Sequence, residues 1–144
     1  MINKALFTSN SDEYETPQHI YDALNDEFGF DLDVSATDYN HKCPAYFTKE
    51  QDGLKQRWGG HTVWCNPPYS EINRWVQKAY EESRNENTTI VMLIPSRTDT
   101  KYFHNFIYHR AEIRFIKGRI TFKNQKSHAP FPSMIVIFRG RIPE

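Results

Sequence analysis

The sequence predicts an open α/β sheet with helices on both faces. TTIVMLIPS, residues 88–96, is almost continuously apolar, as a strand covered on both sides must be. Segments with helical spacing alternate with short apolar runs, and the chain then turns strand-rich toward its end. A length of 144 residues favours one domain, read as a flexible lead over 1–14 and a single domain over 15–144.

The elements follow in order. TPQHIYDALNDEFG, 16–29, carries Ile20, Ala23, Leu24 and Phe28 at helix spacing, with Thr16 as N-cap, Pro17 at the first helical position and Gly29 as the stop. FDLDVSA, 30–36, alternates as a short strand. Residues 37–60 are polar and irregular, with a short helix over Gly53 to Trp58. HTVWC, 61–65, is a buried strand that runs into WCNPPYS. Two prolines there forbid both a helix and a central strand, so the stretch is a rigid corner. Glu71 to Ser83 is a helix with Ile72, Trp75, Val76, Ala79 and Tyr80 on one face and Ser70 as its cap. After the central strand, Thr100 to Tyr108 reads as a helix and AEIRFIKG, 111–118, as a strand that ITFKN continues or folds back from. PSMIVIFRG, 132–140, is the last strand.

Composition is that of a soluble protein, 38% hydrophobic and 25% charged, with a rich 15% of aromatic residues. No stretch approaches a membrane span, and MINKALFTSNSDEYE lacks the pattern of a signal peptide, so a cytoplasmic protein is expected. Cys43 and Cys65 read as free thiols, and the histidines have no ligand spacing with them, so no metal is expected. Net charge is zero but unevenly spread. Residues 11–60 hold eleven acids against four Lys and Arg, and residues 97–144 hold ten Lys and Arg against three acids. This suggests an acidic side for a cationic or polyhydroxyl ligand and a basic side for a polyanion.

In open α/β sheets, ligands bind at the carboxyl ends of the strands. Asp33, Asn66–Pro67–Pro68–Tyr69 and Pro95–Ser96–Arg97 all fall at such ends. Asn66 offers an amide oxygen and Pro67 a carbonyl, two acceptors that suit the two N–H bonds of an exocyclic amine on a planar base. Tyr69 offers a ring for stacking. A base inside a duplex cannot reach such a pocket and must be flipped out. Positioning then supplies the rate, with no covalent nucleophile.

NPPY resembles the catalytic motif of amino-group DNA methyltransferases. The chain as a whole is similar to small phage-encoded DNA N6-adenine methyltransferases of the Dam type, through ETP at 15–17, FDLDVSAT at 30–37, DGL at 52–54, WCNPPYS at 64–70, IPSRTDTKYFH at 94–104 and IKGRITF at 116–122. The resemblance implies a Rossmann-like S-adenosylmethionine-dependent methyltransferase sheet, compact and with room for missing elements, that carries an antiparallel strand near its C-terminus. It implies S-adenosyl-L-methionine as methyl donor and adenine in double-stranded DNA as acceptor, with Asn66, Pro67, Pro68 and Tyr69 as the catalytic motif. Thr16 and Pro17 match the segment that touches the methionine part of the cofactor, and Asp52 the acid that meets its adenine amine. Asp33 is left to the ribose hydroxyls, the methionine ammonium or a capping role in its own turn, and Ser35 lies beside it. The chain departs from the larger family in one respect. VSATDYN follows the first strand where a glycine-rich loop is usual.

At the basic end, Arg97, Lys101, Lys117, Arg119, Lys123 and Lys126 are the expected DNA contacts, and NQKSHAP, 124–130, the loop to enter a groove. Two other readings stand beside this one: methylation of RNA or of a protein amide, and a DNA-binding module that no longer binds cofactor.

Overall fold

The apolar runs pair into a five-stranded sheet of order β1-β2-β3-β5-β4. The structure is a computed structural model and describes residues 14–140. β1 is Leu32–Asp33, β2 Thr62–Cys65, β3 Thr89–Pro95, β4 Glu112–Phe115 and β5 Ser133–Arg139. β1, β2 and β3 are parallel, and β5 runs antiparallel between β3 and β4. β4 therefore points the same way as β3, and four carboxyl ends share one rim. The architecture is a mixed α/β sheet with flanking helices, and the antiparallel strand expected near the C-terminus is β5.

Alternation along the strands sorts their side chains into two cores. Val63, Cys65, Ile90, Met92, Ile94, Val136 and Phe138 pack on one face, and Trp64, Val91, Leu93, Ile135 and Ile137 on the other. Helix α1, Gln18–Phe28, covers the second face with Tyr21 and Leu24. Helix α2, Ile72–Ser83, covers the first with Ile72, Trp75, Val76 and Ala79. With both faces covered, β3 is buried from Ile90 to Pro95, and each large aliphatic side chain there contributes about 1.5–3 kcal/mol. Arg114 of β4 meets Glu27 of α1 through paired contacts of 2.7 Å each, and so ties the end of α1 to the sheet edge.

Several elements depart from expectation. β1 is two residues long because Asp33 ends it, although Val34 N–H still donates to Trp64 O at 3.2 Å. The expected helix over 53–58 is a 3-10 turn at Gly53–Lys55. The 100–108 helix widens into a π-helical turn, Phe103–Ile107, in which Tyr108 N donates to Phe103 O. ITFKN is not a strand, because Gly118 turns the chain at φ +74 and Ile120 O then accepts from Ala129 N. Pro17, not Thr16, caps α1, and Glu71, not Ser70, caps α2, neither through a side chain. Residues 1–13 of the lead lie outside the described residues, while its last residue, Tyr14, is packed against Tyr69. Cys43 and Cys65 are free and buried. Among the described residues no helix is long and apolar enough to cross a membrane.

Candidate active site

β2 stops at Cys65, and Asn66 is the first residue beyond it. Pro68 stays extended at φ −60, ψ 126 before a 3-10 turn, Tyr69–Glu71, leads into α2. The Pro68 carbonyl is used within this turn, accepting from Glu71 N at 3.1 Å. Asn66 is held from across the rim. Its Nδ2 donates to the carbonyl of Tyr14 and to Thr16 Oγ1, the latter at 3.0 Å. A carbonyl only accepts, so the amide has one sense: nitrogen toward residues 14–16, oxygen away. That Oδ1 is buried and has no partner among the described residues. An unpaired buried acceptor costs about 1–3 kcal/mol, which a suitable donor would recover.

Beside the amide lies a cavity of about 560 Å³. Its lining brings together Thr16, Asp33, Ser35, Asp52, Asn66, Pro67, Pro68 and Lys123, which span most of the sequence. Pro17 and Tyr69 do not line it. Pro17 serves α1, its carbonyl accepting from Ile20 N at 3.1 Å. The expected acidic character is not a property of the cavity. Glu15, Asp33, Asp52 and Glu71 face it with Lys42, Lys49, Arg74 and Lys123, so the acids that dominate residues 11–60 are largely elsewhere.

Asp33 explains how a loop without glycine holds its path. The side chain is 3% exposed, and its oxygens accept from Ser35 N at 3.3 Å and Lys42 N at 2.9 Å. Burial pushes this carboxyl above its usual range, while the two amides pull it back. The glycine needed for close approach stands opposite instead. A Cβ on Gly53 would lie 2.1 Å from Val34 O, so only glycine lets the 52–54 turn meet the loop after β1. Asp52, at φ 57, accepts from Leu54 N at 3.1 Å and caps that turn. Trp58 is buried beneath it and donates from its indole to Gly53 O at 2.9 Å.

Tyr69 is enclosed by rings rather than open to the cavity. Tyr14 stacks on it at 4.8 Å and 19°, and Phe131 meets it edge-on at 5.6 Å. Its hydroxyl is buried without a partner among the described residues, and burial pushes the phenol pKa far up, keeping it neutral. The expected open stacking face of Tyr69 is thus covered by Tyr14 in this state.

The six basic residues gather on the same rim. Arg97 and Lys101 follow β3, and Lys117 follows β4. Between β4 and β5 the chain turns Ile120, Phe122 and Ala129 into the core and leaves Arg119, Lys123 and Lys126 exposed. Lys123 N donates to Glu15 O at 2.9 Å and Glu15 N to Asn124 Oδ1 at 3.0 Å, which ties this loop to the segment that holds Asn66. Of the six, only Lys123 reaches the cavity.

Sequence reasoning missed Tyr14 and Lys42. Tyr14 was assigned to the lead, yet it stands two positions before Thr16 and is an aromatic residue in a polar stretch, SDEYET. Lys42 had no signal, since its role is a backbone N–H offered to Asp33.

A protein-family model described as DNA N-6-adenine-methyltransferase (Dam) matches residues 4–143. A Haemophilus phage HP1 protein named DNA N-6-adenine-methyltransferase is 33% identical over 143 residues, covering 94% of this chain and 83% of that one. An Escherichia phage T1 protein of the same name is 35% identical over 112 residues, covering 76% of this chain, which spans 47% of that relative's length. Among solved structures, a Pyrococcus horikoshii protein described as an RNA methyltransferase candidate aligns over 87% of this chain and 60% of its own, at 17% identity and a TM-score of 0.47.

Proposed function

This chain belongs to the DNA N-6-adenine-methyltransferase (Dam) family, and from that premise we propose that it transfers a methyl group from S-adenosylmethionine to N6 of adenine in DNA. The observation that carries the reading is the oriented, unpartnered Oδ1 of Asn66 beside a cavity large enough for a nucleoside-sized cofactor. Residues 15–144 act as a single catalytic domain with a methyltransferase-like sheet.

The residues present fit the cofactor. Thr16, Asp33, Ser35 and Asp52 would hold it, with Pro17 fixing the entry to α1 behind Thr16: two carboxylates and two hydroxyls suit a ligand with hydroxyls, an ammonium and a purine. When bound, S-adenosylmethionine supplies an electrophilic methyl carbon on a cationic sulfur. The chain's part is to present the amine. Asn66 Oδ1 accepts one N–H and the Pro67 carbonyl the other, which turns the nitrogen lone pair out of the base plane for direct in-line attack. Pro68 keeps the corner rigid, its carbonyl already used by Glu71 N–H at 3.1 Å.

The target base is flipped from the duplex to reach Asn66. For it to stack on Tyr69, the ring of Tyr14 must leave, since that ring now lies 4.8 Å from Tyr69. Arg97, Lys101, Lys117, Arg119, Lys123 and Lys126 contact the phosphates on the same rim, with the 124–130 loop toward a groove. The test is single-turnover transfer of labelled methyl to adenine-containing duplex DNA. Labelled N6-methyladenine is the expected product, and absence of transfer to any such duplex would overturn the reading.

A further inference from the structure

We propose that Thr16 is a positioning residue for Asn66: together with the acceptor-only carbonyl of Tyr14, its hydroxyl holds the amide so that the acceptor, not the donor, faces the incoming amine. The proposal rests on the adenine-methylation reading and adds a role beyond the cofactor contact that the Thr-Pro pair suggests.

Three observations support it. Thr16 is 3% exposed, and its Oγ1 lies 3.0 Å from Asn66 Nδ2. The N-cap of α1 is Pro17 rather than Thr16, and the Thr16 hydroxyl is engaged by Asn66 instead. Asn66 Oδ1 is meanwhile buried with no partner among the described residues, so the two contacts on Nδ2 are what set its direction. Turning the amide over would set its oxygen against the Tyr14 carbonyl, which only accepts, while the Thr16 hydroxyl supplies the second contact that holds the amide against that carbonyl. The clamp therefore converts an ambivalent side chain into a pure acceptor.

The chemistry makes this matter. An amine about to be methylated has N–H bonds to donate. An amide presenting its own NH₂ would repel it and offer nothing to hold the lone pair in place. Orientation of the amide is thus part of catalysis, although Thr16 touches neither the amine nor the methyl group in this role. The arrangement also couples two parts of the site. The residue before the first helix helps set the acceptor after β2, so the start of the domain and the corner at residues 66–69 form one unit.

The experiment compares Thr16→Val, which removes the hydroxyl at nearly constant shape, with Thr16→Ser, which keeps it. Exchange of the Asn66 side-chain amide protons, followed by NMR on the protein without DNA, should accelerate in Thr16→Val and stay slow in Thr16→Ser. Single-turnover methyl transfer at saturating S-adenosylmethionine, where any loss of cofactor affinity is compensated, should fall about tenfold or more in Thr16→Val and return in Thr16→Ser. If Thr16→Val does not fold, Thr16→Ala takes its part in both measurements. Unchanged amide exchange, or a wild-type transfer rate in Thr16→Val at saturating S-adenosylmethionine, would overturn the proposal. Failure of the adenine-methylation reading would look different: wild type would transfer nothing, while the exchange measurement would still report on the clamp.

Discussion

The corner at residues 66–69 and the loop between β4 and β5 face the same rim but hold their polar groups in opposite ways. At the corner, one amide is fixed by two hydrogen bonds, its oxygen is sealed from water, and rings enclose the tyrosine beside it. On the loop, an apolar underside of Ile120, Phe122 and Ala129 anchors the backbone, and the cations stand in solvent. A few buried, directional groups make each atom decisive. Many exposed charges make each one small and their effects additive. The contrast teaches that chemistry and affinity are built here from separate physical materials, which mutation can separate.

The largest effect is expected at Asn66. Asn66→Ala should lower single-turnover transfer by about 100-fold or more, the scale seen when one preorganised polar group is removed from a reacting centre. Cofactor affinity, measured by titration, should stay near wild type. A wild-type rate in this variant would reduce the corner to a rigid turn and erase the contrast.

Tyr69 comes next. Tyr69→Ala should cost about 1–3 kcal/mol in the transfer step through lost stacking on the base. Tyr69→Phe should be nearly silent, because the hydroxyl it loses has no partner among the described residues. A large effect of Tyr69→Phe in the same assay would give that hydroxyl a role in the bound state.

Asp33 sharpens the comparison through pH. Burial raises its folded pKa, so the fold favours the protonated form more than the unfolded chain does. That contribution to stability is fully present below the unfolded carboxylate value of about 3.9 and is lost as pH rises through the raised folded value. Asp33→Asn cannot ionise, so its stability relative to wild type should climb with pH across this window. Urea unfolding at several pH values reads the slope directly, and a flat difference would mean that the bonds from Ser35 N and Lys42 N cancel the burial. Asp33→Ala should weaken S-adenosylmethionine binding, since it also frees the loop that these bonds hold.

The smallest single effects belong to the loop. Arg119→Ala and Lys123→Ala should each weaken DNA binding at low salt and flatten its salt dependence by about one unit of slope per lost phosphate contact. Methyl transfer at saturating DNA should hold in Arg119→Ala. Unchanged slopes in both variants would move the DNA face elsewhere.

The local elements were legible because they depend on periodicity. The apolar run ending in Pro95, the helix carrying Trp75, Val76 and Ala79 on one face, and the proline corner all follow from neighbours in sequence. The gathering of Asp33, Asn66 and Arg97 at strand ends was legible too, since parallel strands share a carboxyl rim. The length of β1 and the irregular path of 119–123 were not, because each depends on hydrogen bonds that periodicity does not encode: Asp33 on the amides of Ser35 and Lys42, Lys123 on the distant carbonyl of Glu15. The sequence by itself determined which residue types stand at the rim and that an acceptor-bearing corner follows β2. Only the tertiary structure decided which way the Asn66 amide points, that Gly53 does its work against Val34, and that Tyr14 covers Tyr69. Each is a contact between segments far apart in the chain, and spacing along a chain carries no information about which carbonyl will meet which amide once it folds.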